Sequence, residues 1–174
     1  MTRSIGMTDE AKAGPDEALA AVLGRVPSGL FIVTAGDGKG RHTGMLASWV
    51  MQAGFEPPSI TVAVAAKRYL NDWLADHPHL VVNLLGQSQT DMLKHFGRGF
   101  EPDAPAFEGI ETTETSCELP ALRDCLGYLE GRVSGSMTCG DHVIYAIELT
   151  GAGKGSRFDV EKPFVHIRKS GLTY

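Results

Sequence analysis

Apolar residues along the chain occur in short runs that alternate with polar, glycine-rich breaks. Most of these runs are rich in β-branched and aromatic residues, which is typical of buried strands. The strand-like runs cover residues 29–35, 43–51, 59–66, 79–86, 128–139 and 142–153. A glycine-rich turn at 36–40 separates the first two runs, and Gly140 and Asp141 separate the last two. We therefore expect two antiparallel hairpins.

Three other segments carry their apolar residues at helical spacing. The first, 16–24, begins with Asp16 and Glu17, and acidic residues are favourable at the N-terminus of a helix. The other two cover 69–77 and 87–96. Six or more strands with three short helices predict an all-β to α+β chain, and the density of turns favours a barrel.

Residues 99–119 differ in composition from the rest of the chain. They hold six acidic residues and two prolines but neither Lys nor Arg. We interpret this segment as an exposed loop or excursion that could act as a lid. A solvated surface loop without a function explains the same composition.

Length and composition indicate a single domain. The chain has 174 residues, of which 43% are hydrophobic and 21% charged, so it can build one core without a disulfide or a metal. Residues 1–15 are polar, and we expect them to form a disordered tail that precedes one domain over 16–174.

Charge and cysteine usage argue against several classes of protein. The formal net charge of −5 does not suit binding to the phosphate backbone of nucleic acid. Three cysteines without a CxxC pair fit a reducing compartment. We find neither a signal peptide nor a membrane span, and we therefore expect a cytoplasmic protein with no membrane partner.

Common sequence motifs for cofactor and metal binding do not match this chain. The glycine-rich segment 36–40 leads into a strand, so it is not a dinucleotide-binding turn. The segment GAGKGS at 151–156 lacks the order of a P-loop. The six histidines are scattered, and we predict no metal site.

The stretch 42–68 carries the most chemical information. Glu56 is the only charged residue within 42–66, and Lys67 and Arg68 follow directly. Small residues let a ligand approach the backbone, and a Lys-Arg pair can hold a phosphate. This pattern suits a planar apolar ring system with a phosphate tail. Two buried strands followed by a surface Lys-Arg pair are the alternative interpretation.

Four segments, taken in order, resemble the flavin reductase family. They read RVPSGLFIVTA (25–35), GMLASWVMQAGFEPPSITVAVAAKR (44–68), LVVNLLGQSQTDMLKHFGRGF (80–100) and GDHVIYAIEL (140–149). The resemblance extends over about residues 18–170 and is greatest to the flavin reductase domain found fused to flavodiiron proteins. It implies an all-β chain with short helices, folded as an FMN-binding split β-barrel with six strands in Greek-key order. It also implies a homodimer with FMN near the interface.

The resemblance assigns roles to individual residues. His142 is its candidate for a catalytic contact with flavin or nicotinamide, and a turn residue of a hairpin is the alternative interpretation of this histidine. Lys67 and Arg68 are expected near the phosphate, and Trp49 has a core position as its alternative. The residues expected around the isoalloxazine and ribityl groups are Leu46, Ala47, Ser48, Trp49, Val50, Met51 and Gln52. The segment that often lines the flavin pocket contributes Phe96, Arg98 and Phe100.

The function implied by the resemblance is that of a flavoprotein oxidoreductase. NADH or NADPH would reduce bound FMN, which would pass electrons to free flavin, ferric iron, oxygen or a partner oxygenase. The hydride chemistry belongs to the cofactors, so the absence of a dinucleotide-binding motif is no obstacle. Two alternatives remain open: a non-catalytic FMN electron relay, and a split barrel that binds haem through a histidine.

Overall fold

The computed structural model describes residues 15–172, which belong to two compact units. The smaller unit contains 15–27 and 167–172, and the larger contains 28–166. In the smaller unit helix α1 (Pro15–Gly24) binds the C-terminal segment, because Gly171 N donates a hydrogen bond to Ala20 O at 2.7 Å. The predicted disordered tail lies outside the described residues, apart from Pro15.

The larger unit contains two helices and nine strands among its residues. The helices are α2 (Leu70–Asp76) and α3 (Thr90–Phe96), so all three predicted helices are confirmed with small shifts at their ends. The strands are β1 (Phe31–Gly36), β2 (His42–Ala47), β3 (Val50–Phe55), β4 (Pro58–Ala65), β5 (His79–Leu84), β6 (Thr112–Glu114), β7 (Pro120–Leu122), β8 (Gly127–Cys139) and β9 (His142–Lys154).

Seven of the strands form one antiparallel sheet in the order β2-β1-β5-β8-β9-β4-β3. Both predicted hairpins are confirmed. Thr34 pairs with Gly44 in the first, and Cys139 pairs with His142 across the turn of the second. Strands β6 and β7 form a separate two-stranded sheet. The chain is therefore mostly β, with a few short helices.

The main sheet has seven strands where the resemblance implied six. The apolar run 43–51 looks continuous, but β2 ends at Ala47 and β3 begins at Val50. Because these strands lie at opposite edges of the sheet, the two residues between them carry the chain from one edge to the other. Among the described residues the two edges are not paired with each other, so hydrogen bonds do not close the sheet into a barrel.

Both faces of strand β1 are buried. Val33 belongs to a first hydrophobic cluster with Val62 and Val64, which helix α2 covers with Leu74. Ile32 points to the opposite face, because side chains alternate along a strand, and lies in a second cluster beneath helix α3. The continuous apolar run of β1 follows from this burial on both sides.

The acidic segment 99–119 is not a simple exposed loop. Phe107 and Ile110 pack against the second cluster, and Ala106 and Leu119 are buried. The six carboxylates of the segment are exposed, as an exposed loop predicts, while these apolar residues anchor it to the core. Within the part of the chain that the structure describes, no helix has the length and apolar character needed to span a membrane.

Candidate functional site

The link between β2 and β3 brings the chain from the core to the surface. Ala47 is buried in the first cluster, and Ser48 next to it is also buried. Trp49 is 38% exposed and Met51 is 65% exposed. The carbonyl of Trp49 accepts a hydrogen bond from Ala63 N at 3.0 Å, which fixes the link beside strand β4.

The hydroxyl of Ser48 is buried and has no hydrogen-bond partner within the described part of the chain. Among the described residues, it is the one buried side-chain oxygen or nitrogen atom that lacks a hydrogen-bond partner. A buried hydroxyl without a partner costs free energy, and such groups occur where a ligand supplies the missing bond. The observation points to a ligand at the break between β2 and β3.

The rings of Trp49 and His142 are in contact next to the break between β2 and β3. Their ring centroids are 4.8 Å apart and their planes are inclined by 53°. His142 begins strand β9 and pairs with Ala65 of β4, while its side chain is only 14% exposed. The sheet register thus brings a residue of the second hairpin to the link between β2 and β3.

Asp141 orients the imidazole of His142. Nδ1 of His142 lies 2.8 Å from Oδ1 of Asp141, and because a carboxylate can only accept, Nδ1 donates. The hydrogen bond from His142 lowers the pKa of the Asp141 carboxyl below its ordinary value, with a smaller contribution from the charge of Lys67. Nε2 of the neutral ring is left as an acceptor.

The turn that carries Lys67 and Arg68 lies next to Asp141. Ala66 N donates a hydrogen bond to the carbonyl of Asp141 at 2.8 Å. Lys67 is exposed and Arg68 is partly buried, with its guanidinium packed so closely on Gly99 that a β-carbon there would collide with it. The two cations therefore stand at the same end of the sheet as the Asp141–His142 pair.

Arg68 and Phe100 together line a small recess. Tyr69 also lines it, and its hydroxyl forms a hydrogen bond with the hydroxyl of Thr43 at 2.7 Å. The structure thus brings two of the predicted residues together around a partly polar hollow beside the Lys-Arg turn.

The other predicted residues have more varied positions. Phe96 is 1% exposed in the second cluster, and its ring lies 5.7 Å from that of Phe100. We therefore interpret Phe96 as a support for Phe100. Leu46 packs against the same cluster and Val50 against the first, so their backbones are better placed for a ligand than their side chains. Gln52 on β3 and Arg98 after α3 are exposed.

Sequence reasoning did not assign a role to Asn71. The two N–H groups of its side-chain amide face three carbonyl oxygens at the end of β4 and in the turn that follows, those of Ala65, Ala66 and Arg68. The available signal was an asparagine in the first turn of a helix directly after a Lys-Arg pair, because asparagine side chains often bond nearby backbone groups.

A cavity of about 360 Å³ lies away from these residues. It is lined by Arg41, His42 and residues 102–108. Arg41 forms ion pairs with both Asp37 and Asp103, so its charge is already engaged. This cavity contains none of the predicted site residues.

Among the described residues, the candidate site thus combines an unpartnered hydroxyl, an aromatic–imidazole pair and two cations at one end of an antiparallel sheet. Residues 23–170 match the flavin reductase like domain, and the chain belongs to that family. The family resemblance stated from the sequence is thereby confirmed.

Curated relatives have the same domain within longer chains. Diflavin flavoprotein A 1 of Synechocystis is 38% identical over 160 residues, which are 91% of this chain and 27% of the relative. Putative diflavin flavoprotein A 3 of Nostoc is 37% identical over 158 residues, 90% of this chain and 27% of the relative. The chain thus spans about a quarter of the length of these relatives.

Solved structures share the fold at low sequence identity. The NADH:FAD oxidoreductase of Streptomyces globisporus has a TM-score of 0.76 at 22% identity, over 87% of this chain and 86% of that one. The styrene monooxygenase flavin reductase of Pseudomonas putida has a TM-score of 0.71 at 19% identity, over 86% of this chain and 91% of that one.

Proposed function

We propose that this chain is a flavin reductase that binds FMN and takes electrons from NADH or NADPH. The electrons then pass to free flavin, ferric iron, oxygen or a partner oxygenase. The buried Ser48 hydroxyl without a partner is the observation that carries the proposal, because in a flavin reductase family member it fits a polar atom of a flavin.

The residues around the strand break suit a flavin. Ser48 would offer its hydroxyl, and the exposed ring of Trp49 would offer an aromatic surface to a planar ring system. When bound, the flavin supplies a ring that accepts a hydride from nicotinamide and passes electrons onward. The chain's own task is to bind and orient this ring and to exclude water from it.

His142 is proposed as the residue that adjusts the charge beside the bound ring. Its Nδ1 is committed to Asp141, so Nε2 can donate a hydrogen bond only when the imidazole is protonated. A positive charge there would stabilise the negative charge that a hydride brings.

Lys67 and Arg68 are proposed to bind the phosphate of FMN. The two side chains bring two positive charges to one turn, which matches a single phosphate group. The preference for FMN over FAD rests on this charge match. A neighbouring structure of the Streptomyces oxidoreductase, which contains NAD and FAD fragments, makes FAD the natural competitor in a binding experiment.

Anaerobic mixing with NADH and with NADPH tests the function. The protein, loaded with FMN, should rapidly lose the absorption of blue light by oxidised flavin with at least one of the two donors. Retention of bound, oxidised flavin with both donors would contradict the proposal and support an electron relay. A Soret band in the purified protein, without flavin absorbance, would support haem binding. The outcome also distinguishes NADH from NADPH.

A further inference from the structure

The turn between β4 and α2 is held by one side-chain amide. Nδ2 of Asn71 lies 2.8 Å from the carbonyl oxygen of Arg68, 3.0 Å from that of Ala65 and 3.3 Å from that of Ala66. The backbone N–H of Asn71 also donates to Arg68 O at 3.1 Å. One residue therefore fixes the backbone on both sides of Lys67.

The buried tyrosine of strand β9 determines the orientation of this amide. The hydroxyl of Tyr145 donates to Oδ1 of Asn71 at 2.9 Å, although the two residues are 74 positions apart in the sequence. Burial raises the pKa of Tyr145, with a further contribution from the charge of Asp72, so the hydroxyl keeps its proton. Because Oδ1 accepts from Tyr145, Nδ2 faces the three carbonyls.

We infer that Asn71 is a positioning residue for the binding of the flavin phosphate. Its amide holds the backbone of the turn that carries both Lys67 and Arg68. This inference rests on the proposed function, because it assumes that these two cations bind the phosphate. Asn71 does not touch the flavin, and its effect passes through the backbone of the turn.

The energetic argument is one of preorganisation. Each backbone residue that becomes ordered on binding costs conformational entropy, and a turn that is already ordered avoids this cost. Further backbone bonds of the turn run from Arg68 N to Ala65 O and from Ala66 N to Asp141 O, and Tyr69 O accepts from the first turn of α2. Loss of the Asn71 amide would leave the carbonyls of Ala65 and Arg68 with their backbone donors alone, and would loosen the segment that carries both cations.

The comparison of FMN with riboflavin isolates the phosphate. The two ligands share the isoalloxazine and ribityl groups, so the ratio of their dissociation constants reports the contribution of the phosphate alone. Asn71→Ala should weaken FMN binding about tenfold, equivalent to about 1.4 kcal/mol, while riboflavin affinity changes less than about twofold. Tyr145→Phe removes only the hydroxyl that orients the amide. It should reduce the ratio of the riboflavin to the FMN dissociation constant by a smaller factor than Asn71→Ala does.

Asn83→Ala is the matched control. Its amide also donates to backbone and side-chain oxygens, those of Ile32 and Thr34, but it lies in β5 away from the turn. Loss of this amide should lower thermal stability and leave the FMN to riboflavin ratio unchanged. If Asn71→Ala does not fold, Tyr145→Phe decides the question, and an unchanged ratio in that variant overturns the inference.

The outcomes separate this inference from the proposed phosphate site. If the natural sequence binds FMN and riboflavin equally, or if Lys67→Ala with Arg68→Ala leaves the ratio unchanged, the phosphate assignment fails. If that double variant loses the preference for FMN but Asn71→Ala keeps it, only the role of Asn71 is wrong. If Asn71→Ala weakens the binding of FMN and of riboflavin equally, the inference about Asn71 is also overturned, since the effect would then be structural.

Discussion

The hydrogen bond between His142 and Asp141 decides what the imidazole can offer a ligand. From the sequence alone, an uncharged histidine could donate a hydrogen bond to the flavin. In the structure the Nδ1 proton is directed at Asp141, 2.8 Å away, so the neutral ring has only an acceptor left at Nε2. Donation toward a ligand therefore requires the charged ring.

Replacement of His142 tests this charge-dependent role. His142→Ala should bind FMN nearly normally, and NAD(P)H should reduce the bound FMN at least about tenfold more slowly, a barrier increase of about 1.4 kcal/mol. His142→Asn, which can donate a hydrogen bond but carries no charge, should recover little of the loss. Stopped-flow reduction at the natural rate in His142→Ala would place the residue in the hairpin and not in the mechanism.

Replacement of Ser48 can separate an effect on flavin binding from an effect on the stability of the fold. Ser48→Ala removes a buried hydroxyl that bonds to no described residue, so the thermal midpoint should stay the same or rise. Flavin affinity should fall about three- to tenfold, because one hydrogen bond to the ligand is lost. Fluorescence titration and thermal unfolding measure the two effects.

Ser116→Ala is the matched control for Ser48→Ala. The hydroxyl of Ser116 donates to Oε2 of Glu130 at 2.6 Å, so its loss should lower stability and leave flavin affinity intact. If Ser48→Ala instead destabilises the fold and binds flavin normally, the Ser48 hydroxyl has a structural role and the candidate site loses its main support.

At the scale of secondary-structure elements, one arginine joins three segments of the larger unit. Arg157 donates from Nε and Nη2 to the two carboxylate oxygens of Asp124, at 2.7 and 2.6 Å. Its Nη1 bonds Glu161 and Ser88, at 2.9 and 2.7 Å. The cluster connects the segments that precede α3, precede β8 and follow β9, and bidentate geometry makes the pair with Asp124 the strongest contact.

Arg157→Met should lower the thermal midpoint by roughly 2–4 °C at neutral pH, the effect expected for about 1 kcal/mol in a chain of this size. Arg157 lowers the pKa values of Asp124 and Glu161, so both carboxyls bind protons less readily in the folded state. Their contribution to stability is complete above their ordinary pKa values and disappears as pH falls through the lowered ones.

The stability difference between the natural protein and Arg157→Met should therefore shrink below about pH 4. Urea unfolding at neutral and acidic pH measures this difference. Arg132→Met, which changes an exposed arginine of β8, should leave the midpoint nearly unchanged at both pH values. A stability difference between the natural protein and Arg157→Met that stays constant or increases in acid would contradict the role assigned to the ion pairs.

At the scale of the whole molecule, a partly apolar patch lies on the outward side of β3, β4, β8 and β9. Met51 pairs with Thr61 in β4, and Met137 pairs with Ile144 in β9, which pairs with Ala63. Directly paired residues, and residues two apart on a strand, share a face of the sheet, so these side chains form one surface. His142 lies two residues before Ile144 on the same face, so the surface borders the candidate site.

We expect this outward face to be the contact between two copies of the chain. Exposed apolar surfaces of this kind mark interfaces, and Met51 and Met137 are 65% and 61% exposed. Met51→Glu and Met137→Glu should each shift the protein from dimer toward monomer in light scattering and weaken flavin binding. Val165→Glu, an exposed apolar position elsewhere, is the control and should remain dimeric. A monomeric natural protein with FMN bound would rule out the dimer.

Local patterns along the chain were sufficient for the elements themselves. The apolar runs and the glycine-rich turns located β1, β2, β4, β5, β8 and β9, and helical spacing located all three helices. The hairpin ending at Gly140 and Asp141 was predictable for the same reason. Side-chain spacing of two or 3.6 residues is a property of neighbouring positions, so it can be recognised without knowing the fold.

The tertiary structure alone decided how these elements build a site. The break at Ser48 and Trp49 lies within an unbroken apolar run, and only the bond between Trp49 and Ala63 on another strand reveals it. The isolation of the Ser48 hydroxyl, the contact of Trp49 with His142 and the bond from Tyr145 to Asn71 also join residues from different strands and turns. Such contacts depend on strand order and register, which arise from hydrogen bonding and packing between distant segments and leave no periodic trace in the sequence.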